Sequence, residues 1–381
     1  MAIHRIYAVN VQYQHTVEMR NRGLELDTMD RRLDRCAVTP YGRGAGSSRV
    51  RVFAWLDRVG ADFTVGSYLS LPDATPSRLA RHPVSLARAE LRLAAIANGR
   101  PRRLLLHREA SPLSRGWWER RLLTSAEFAV YDFDDALQWD HGEGGLVRRM
   151  APKADKARTA VRCADRVVAG NAVLADWASH HHDDVVVIPS CVSLEDYVPK
   201  TSYLLHDPPR LGWIGSRGNE SCLLLIADAL TEVHRRTGAR LTLVGTTAPS
   251  LGRLESFIDR VAWSPESQRA ALADMDVGLM PVPMTSYSLG KCGYKLLQYA
   301  AAGLPAAASP VGVNGELLTQ FGMPAPRSRD DWTSALLGLI GSSAADREWL
   351  GRLARDIVGL KYSYDAWLPR WSAALELGPG V

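Results

Sequence analysis

Short apolar runs alternate with amphipathic stretches along most of the chain. In the first half, apolar runs predict β-strands at 35–40, 104–107, 128–133, 166–169 and 185–189. Apolar residues at helical spacing predict helices at 49–59, 78–97 and 153–164. Strands that alternate with helices are typical of βαβ units, so we expect a parallel sheet with helices on its faces.

A segment rich in proline and turn residues, PKTSYLLHDPPR at 199–210, interrupts this alternation, which then restarts. The second set of predicted strands lies at 211–215, 240–245, 260–263, 277–282 and 305–309. We therefore expect an α/β protein with two doubly wound Rossmann-like domains, at 35–198 and 199–361. Ligands bind beyond the carboxyl ends of such strands, so the chemistry is expected in a cleft between the domains.

The beginning of the chain lacks this alternation. Residues 1–34 are polar and not clearly periodic, which indicates an extension before the first domain. No run of about 18 apolar residues is present, and the amino terminus lacks the apolar core of a signal peptide. The five cysteines are scattered and form no CxxC pair. We therefore expect a cytoplasmic protein with reduced thiols.

The chain is basic, with a net charge of +5 and a pI near 9.0. Eleven arginines stand against three acidic residues between Arg78 and Arg121. A solvated helix face explains this best, and a weak peripheral contact with a membrane or another polyanion is the alternative. Nucleic-acid binding is not expected, because no recognised module accompanies the charge.

Two lysines indicate a phosphate-binding site in the second domain. Lys291 and Lys295 are two of only six lysines in a chain with forty arginines, and they lie four residues apart near the start of a predicted helix. Side chains four apart share one helix face. Helix amino termini also attract anions, so these groups are expected to converge on a diphosphate.

A glycine- and serine-rich turn, YGRGAGSSRVR at 41–51, follows the first predicted strand. Backbone N–H groups at Gly46, Ser47 and Ser48 are able to approach a phosphate or a hydroxyl closely there. The turn matches neither standard glycine-rich nucleotide motif, so an ordinary turn without a ligand is an equal alternative.

Several segments resemble retaining glycosyltransferases of family four, which have the GT-B architecture of two facing Rossmann-like domains. The most specific is KCGYKLLQYAAAGLPAAASPVGVNGE, which is similar to the family's donor-site helix and following turn. VVVIPSCVSLEDYVP, LGWIGS and RLTLVG add to the resemblance, which extends over about 35–375. It implies that residues 362–381 form a helix that packs back on the first domain.

The resemblance implies a donor site for a nucleotide-diphosphate sugar in the second domain. Its residues would be the diphosphate-binding Lys291 and Lys295, the first-loop residues Gly215, Ser216 and Arg217, and Trp263 beside the base. Two positions depart from the family's pattern, since Gly290 and Gln298 stand where many members carry glutamates. Gln298 is still able to accept a hydrogen bond from a ribose hydroxyl, whereas Gly290 leaves the sugar to backbone groups or Lys291.

The resemblance also implies an acceptor side in the first domain, made of Gly46, Ser47, Ser48, Arg49 and Arg108. Asp134, in YDFDDAL after the strand at 128–133, would stand beside the reacting sugar carbon and orient the acceptor hydroxyl or steady positive charge. Asp134 and Lys295 are therefore the candidate catalytic residues. The main alternative is that the aspartates cap the following helix. A metal-binding DxD motif and the nucleophile motif of haloacid-dehalogenase phosphatases are the remote alternatives.

We therefore expect sugar transfer from a nucleotide-diphosphate sugar to a hydroxyl of an acceptor, and a small molecule is one candidate for that acceptor. The resemblance implies retention of the anomeric configuration, with no metal ion and no cofactor. The departures at Gly290 and Gln298 raise one alternative, a nucleotide-binding partner subunit without transfer activity. A phosphatase that uses Asp132 as its nucleophile is the remaining alternative.

Overall fold

The structure is a computed structural model that describes residues 33–69, 81–141, 149–245 and 250–378. The extension expected at 1–34 lies outside these residues except for Leu33 and Asp34. These two residues already belong to the first domain, because their carbonyl oxygens accept hydrogen bonds from the backbone N–H groups of Arg102 and Arg103 at 3.1 and 3.0 Å.

The first sheet, as far as the structure describes the chain, contains six parallel strands. They are β1 (Arg35–Tyr41), β2 (Thr64–Leu69), β3 (Arg103–His107), β4 (Phe128–Phe133), β5 (Arg166–Ala169) and β6 (Val185–Val187). Their order across the sheet is β2-β1-β3-β4-β5-β6. The chain reverses its direction of winding between β1 and β3, which makes this the topological switch point.

Helices cover both faces of the first sheet. They are α1 (46–59), α2 (Pro83–Asn98), α3 (Trp117–Leu123), α4 (Lys153–Cys163) and α5 (Ala172–Ser179). Helix α1 is α-helical at Gly46–Ser48 and Ala54–Val59 and π-helical at Arg49–Phe53 between them. Alternate strand residues face opposite layers, so that Cys36 and Val38 pack into one core and Ala37 into another.

The second sheet is also parallel and has five strands among the described residues. They are β7 (Arg210–Ile214), β8 (Arg240–Gly245), β9 (Ile258–Ala262), β10 (Val277–Met280) and β11 (Ala306–Ala308), in the order β11-β10-β7-β8-β9. Its α-helices are α6 (Ala227–Thr237), α7 (Pro265–Asp274), α8 (Ser286–Leu289), α9 (Tyr294–Ala301), α10 (Val313–Phe321), α11 (Arg329–Gly341) and α12 (Ala344–Lys361). A 3-10 helix, Arg217–Ile226, follows β7.

The chain crosses between the two domains at two adjacent points. Cys191 packs into a core of the first domain and Val192 into a core of the second, so the first crossing precedes the linker predicted at 199–210. The second crossing lies at Ser363, which forms a parallel bridge with Val192. The Val192 N–H donates to the Tyr362 carbonyl oxygen at 2.9 Å, so the two crossing segments lie side by side.

The last helix, α13 (Tyr364–Ala374), packs on the first sheet. Trp371 stacks on Trp55 with ring centroids 5.4 Å apart and ring planes 8° from parallel. The Tyr364 hydroxyl donates to the Val50 carbonyl oxygen at 3.0 Å. Aromatic pairs of this kind contribute about 0.5–1.5 kcal/mol beyond the burial of their area. The end of the chain therefore helps to hold α1 in place.

The α/β class with two parallel, helix-covered sheets is confirmed. The strands predicted at 128–133, 166–169 and 240–245 have those bounds in the structure. Strand β2 was not predicted, because Gly66 and Ser67 interrupt its apolar run. It forms because it pairs in parallel with β1 and buries Tyr68 and Leu69. Tertiary pairing here outweighs weak local propensity.

None of the helices that the structure describes is long and apolar enough to span a lipid bilayer.

A buried ion pair fixes α1 to the first sheet. The side chains of Arg51 and Asp132 are 0% and 1% exposed, and Arg51 Nε donates to Asp132 Oδ1 at 3.2 Å. Arg51 Nη1 also donates to the Ile188 carbonyl oxygen at 2.8 Å, and His107 Nδ1 lies 2.8 Å from Asp132 Oδ1. Burial opposes ionisation of Asp132, but Arg51 and His107 outweigh it and hold the pKa of this carboxyl below its usual value.

Replacing Asp132 with asparagine should destabilise the first domain by about 3–5 kcal/mol, because it leaves the buried Arg51 guanidinium without its counter-charge. Urea unfolding followed by tryptophan fluorescence measures the difference from the wild type. The matched control is Asp259→Asn, which removes the exposed partner of Arg240 and should change the midpoint little. Equal changes in the urea midpoint for the two variants would show that the buried ion pair contributes no more to stability than the exposed one.

Candidate functional site

The carboxyl edges of the two sheets face each other and touch. Asp134 and Asp135 follow β4, and Asn171 follows β5. The Asn171 amide donates to the Gly290 carbonyl oxygen at 2.9 Å, and the Tyr287 hydroxyl donates to Asp135 Oδ2 at 2.7 Å. The segment after β10 therefore lies directly against the carboxyl ends of β4 and β5 in the first domain.

The two lysines of the predicted donor site lie in different local structures. Helix α9 begins at Tyr294, with Gly293 as its N-cap at a φ of 64°, so Lys291 lies in the preceding loop. The expectation that both lysines share one helix face is therefore wrong. Lys291 still acts electrostatically on Lys295, since burial first, and then the charge of Lys291, lower the pKa of Lys295 to about 8.

These ammonium groups have aromatic neighbours rather than carboxylates. Lys295 Nζ lies 5.3 Å from the centroid of the Trp213 ring, and Lys291 Nζ lies 4.9 Å from that of Tyr287. In the described part of the chain, no aspartate or glutamate forms an ion pair with either lysine. The amino end of α9 thus carries two cationic groups whose charges no carboxylate of the described residues balances by an ion pair.

The first loop of the second domain lies next to Lys295. A side chain added at Gly215 would approach Lys295 Cε to 3.0 Å and would run into the Trp213 ring. Ser216 accepts a hydrogen bond from the Asn219 amide at 3.1 Å through its hydroxyl. The backbone of Arg217 starts the 3-10 helix after β7, and its side chain lies outside the described residues. Gly215 therefore lies directly against the Lys295 side chain.

Trp263 links the two domains. Its backbone N–H donates to the Gly245 carbonyl oxygen at 2.9 Å, and its indole N–H donates to Gln268 Oε1 at 2.8 Å. The Arg49 guanidinium of the first domain lies 5.7 Å from the centroid of the Trp263 ring. This distance is within the range of cation–π attraction. Arg49, expected on the acceptor side, therefore reaches the edge of the second sheet.

The glycine- and serine-rich turn divides into an open part and a buried part. A side chain added at Gly46 would meet nothing within 4 Å, and Ser47 is partly exposed. Ser48 is fully buried, and its hydroxyl oxygen lies 3.1 Å from the Thr39 hydroxyl that donates to it. Gly46 and Ser47 are thus open to a ligand, whereas Ser48 fastens the turn to β1.

Asp134 is held by an arginine in an unusual backbone conformation. Arg108 Nε donates to Asp134 Oδ1 at 2.7 Å, and Arg108 Nη2 lies 3.4 Å from Asp135 Oδ2. The φ of Arg108 is 60°, a left-handed value that non-glycine residues adopt at a cost of about 1–3 kcal/mol. Burial raises the pKa of Asp134, but Arg108, His107 and Arg51 together bring it well below its usual value. Asp134 is therefore an oriented carboxylate rather than a proton acceptor.

The neighbouring Asp132 does not fit a phosphatase nucleophile. Its carboxylate is 1% exposed and is hydrogen bonded to Arg51 and His107. A nucleophile must reach its substrate, so the burial of Asp132 contradicts the alternative of a phosphatase that uses this residue as its nucleophile.

The two positions that depart from the family's pattern are both enclosed. A side chain at Gly290 would place its Cβ 2.7 Å from Ala136 Cβ and 2.9 Å from Leu174 Cδ2. Gln298 is 5% exposed, and its amide donates to the Tyr197 hydroxyl at 3.0 Å. In this arrangement of the domains, position 290 has no room for a glutamate.

Sequence reasoning missed several residues of this contact region, namely His107, Asn171, Tyr287 and Cys292. The Cys292 thiol donates to the Asp134 carbonyl oxygen at 3.2 Å. Asn171 gives the one local signal, because it caps α5 directly after an apolar strand. The contacts themselves join residues more than a hundred positions apart, so no local pattern reveals them.

Comparisons with known proteins agree on the fold. Residues 208–342 match the family model described as "Glycosyl transferases group 1". WaaG, described as a glycosyltransferase involved in lipopolysaccharide biosynthesis, is 14% identical and covers 91% of this chain and 100% of its own, with a TM-score of 0.62. HepE from Anabaena, in complex with UDP-glucose, is 13% identical. The match covers 90% of this chain and 99% of HepE, with a TM-score of 0.63. A search of curated proteins finds no significant sequence match.

The chain is a glycosyltransferase with the GT-B fold. The family model covers the sheet that carries Gly215, Trp263 and Lys295, and the structural likeness extends over both domains.

The close contact at Gly290 leads to a prediction about the distance between the domains of this glycosyltransferase. Gly290→Ala should push the two carboxyl edges apart, because its Cβ would collide with Ala136. Small-angle X-ray scattering should then show a larger radius of gyration. Adding Ala136→Gly should restore most of the change.

Gly341→Ala is the control, because a side chain there meets nothing within 4 Å. An unchanged radius of gyration in Gly290→Ala would contradict a closed arrangement of this kind in solution.

Proposed function

We propose that this glycosyltransferase transfers a sugar from a nucleotide-diphosphate sugar to an acceptor hydroxyl, with retention of configuration and without a metal ion. The carrying observation is the pair of lysines at the amino end of α9, which have no carboxylate partner among the described residues. A cytoplasmic location stays a prediction from the sequence.

The lysine pair is suited to a diphosphate for electrostatic reasons. Burial and the charge of Lys291 make the protonated form of Lys295 costly in the free protein, which is why its pKa falls to about 8. A bound diphosphate removes this cost, and each charge-assisted hydrogen bond contributes about 1.5–3 kcal/mol. The helix amino terminus adds a favourable partial charge. The lysines would thus neutralise the leaving group, a task that a metal ion performs elsewhere.

The donor class is supported by the similar structures. HepE is described in complexes with UDP and with UDP-glucose. In this chain, Gly215 and Ser216 would line the diphosphate and Trp263 would hold the base, with Arg217 as an additional clamp. Because Gln298 is turned to Tyr197 and Gly290 lacks a side chain, the sugar would be positioned by backbone groups and Lys291.

Asp134 is the proposed catalytic residue of the first domain. Arg108 fixes its orientation and keeps it ionised. A fixed carboxylate on the face of the reacting carbon would stabilise the positive charge that develops as the diphosphate departs. Gly46, Ser47, Arg49 and Arg108 would contact the acceptor. The donor would enter when the domains part, because the edges touch at Gly290 in the present arrangement.

The role of Lys295 is tested by UDP binding. Lys295→Met should raise the Kd for UDP by about 10- to 150-fold, which corresponds to about 1.5–3 kcal/mol. Isothermal titration calorimetry measures it, and Lys361→Met serves as a control on an exposed helix end. Unchanged UDP binding in Lys295→Met would contradict the assignment of Lys295 as a diphosphate-binding residue. Unchanged binding combined with normal transfer would remove the proposed site altogether.

The pH dependence of UDP binding follows from the lowered pKa of Lys295. Below pH 8 the free protein already carries the proton, so affinity should be nearly constant. Above pH 8 binding must take up a proton, so the Kd should rise by up to about tenfold per pH unit. Titrations between pH 7 and 9 should show this rise in the wild type. Lys295→Arg should lack it, because a guanidinium stays charged throughout this range.

The stereochemical course and the metal requirement are tested with UDP-glucose and a panel of hydroxyl acceptors. Proton NMR of the first product should show the α-anomer, and EDTA should leave the rate unchanged. A β-anomer would contradict retention, and loss of activity in EDTA would contradict metal-independent transfer. Tight UDP binding without any transfer across donors and acceptors would favour the alternative of a non-transferring nucleotide-binding subunit.

A further inference from the structure

A second group of cationic side chains lies on the outer surface of the first domain, between α3 and α4. They surround a cavity of about 350 Å³. Its polar lining consists of Arg115, Arg120, Asp155, Arg158, Thr159 and Arg162. We refer to this as the arginine cavity.

The arginine cavity is poor in negative charge. Four guanidinium groups line it, and Asp155 is the one carboxylate among the described residues of its lining. Asp155 forms two long ion pairs, in which its carboxylate oxygens lie 3.5 Å from Arg115 Nη2 and 3.9 Å from Arg158 Nη1. Charge-assisted hydrogen bonds are normally about 2.7–2.9 Å long. Arg120 and Arg162 have no carboxylate partner in the described part of the chain.

The positive potential extends beyond the cavity. Partial burial and then the charges of Arg162 and Arg158 lower the pKa of His181, which follows α5. The positive charge of the arginines therefore reaches the His181 imidazole on a neighbouring element. Clustered like charges of this kind destabilise a fold unless an anion binds among them.

The cavity is separate from the cleft. Cys163 ends α4 and also lines the cavity, and β5 begins three residues later at Arg166. This end of α4 therefore lies at the amino edge of the first sheet. The lining also extends along α4 to Asp155 in its first turn, but it does not include Asp134, Lys291 or Lys295, so the arginine cavity is distinct from the proposed transfer site.

We propose that the arginine cavity is an anion site that binds a phosphate group. Guanidinium groups donate in a planar fork that matches phosphate oxygens, and several of them are able to share one phosphate. Thr159 also lines the cavity, but its hydroxyl donates to the Asp155 carbonyl oxygen at 2.8 Å, so the donors to a phosphate would be the guanidinium groups. The phosphate is carried either by a small phosphorylated molecule or by a lipid headgroup, which present the same chemistry to the cavity.

Cys163 provides a local probe of occupancy. It is a free, partly exposed thiol in the cavity lining. Alkylation by iodoacetamide, read by mass spectrometry of the full chain, should slow by about tenfold once inorganic phosphate exceeds its Kd tenfold. Cys222, a free thiol near Lys295, is the internal reference. Protection of Cys222 alone would report the proposed donor site and would contradict the arginine cavity.

The matched variants are Arg158→Gln/Arg162→Gln and, as a control with the same change in charge, Arg235→Gln/Arg352→Gln on α6 and α12. The first should abolish protection of Cys163 and the second should retain it. Equal protection in both would overturn the proposal, as would an unchanged Cys163 rate in the wild type with every ligand. Circular dichroism verifies that both variants fold.

A second arm identifies the source of the phosphate. Vesicles of phosphatidylglycerol are compared with vesicles of zwitterionic phosphatidylcholine at equal lipid concentration. Protection by phosphatidylglycerol but not by inorganic phosphate assigns the site to a lipid headgroup. Protection by inorganic phosphate without vesicles assigns it to a small phosphorylated ligand.

Discussion

The buried ion pair between Arg51 and Asp132 is the contact on which the first domain's half of the cleft depends. Arg51 lies in the π-helical turn of α1, two residues after Arg49, and Asp132 lies at the end of β4, two residues before Asp134. The same guanidinium holds the carbonyl oxygen of Ile188, shortly before the chain leaves the domain. Buried charges are tolerated only with nearly complete hydrogen bonding, so this geometry allows little adjustment. The glycine- and serine-rich turn, the Asp134 carboxylate and the exit from the domain are thereby fixed relative to one another.

The two walls of the cleft differ in how their charges are balanced. On the first wall, each carboxylate has an arginine, as with Asp132 and Arg51 or Asp134 and Arg108. On the second wall, Lys291 and Lys295 have aromatic rings beside them and no described carboxylate partner. The carboxylates of the first wall are thus balanced by the protein itself, whereas the second wall carries positive charge that no described carboxylate balances. This difference favours the second wall as the proposed nucleotide site.

The sequence predicted elements well where a short apolar run had clear ends, as for β4, β5 and β8. It failed where the conformation depends on a single residue or on a distant one. Gly293 adopts a left-handed φ that ends the loop and delays the start of α9, which removes Lys291 from the helix. The contact of Gly290 with Ala136 joins different domains, and β2 needs β1 beside it. The residues of the proposed donor site were named from the sequence, whereas their neighbours became visible only in the structure.

The two places where the chain passes between the domains are paired through Val192 and Ser363. Two covalent connections that lie side by side form a single hinge region between the domains. Because both crossings lie at this one place, opening of the cleft would be a rotation about it, far from the Gly290 contact at the carboxyl edges.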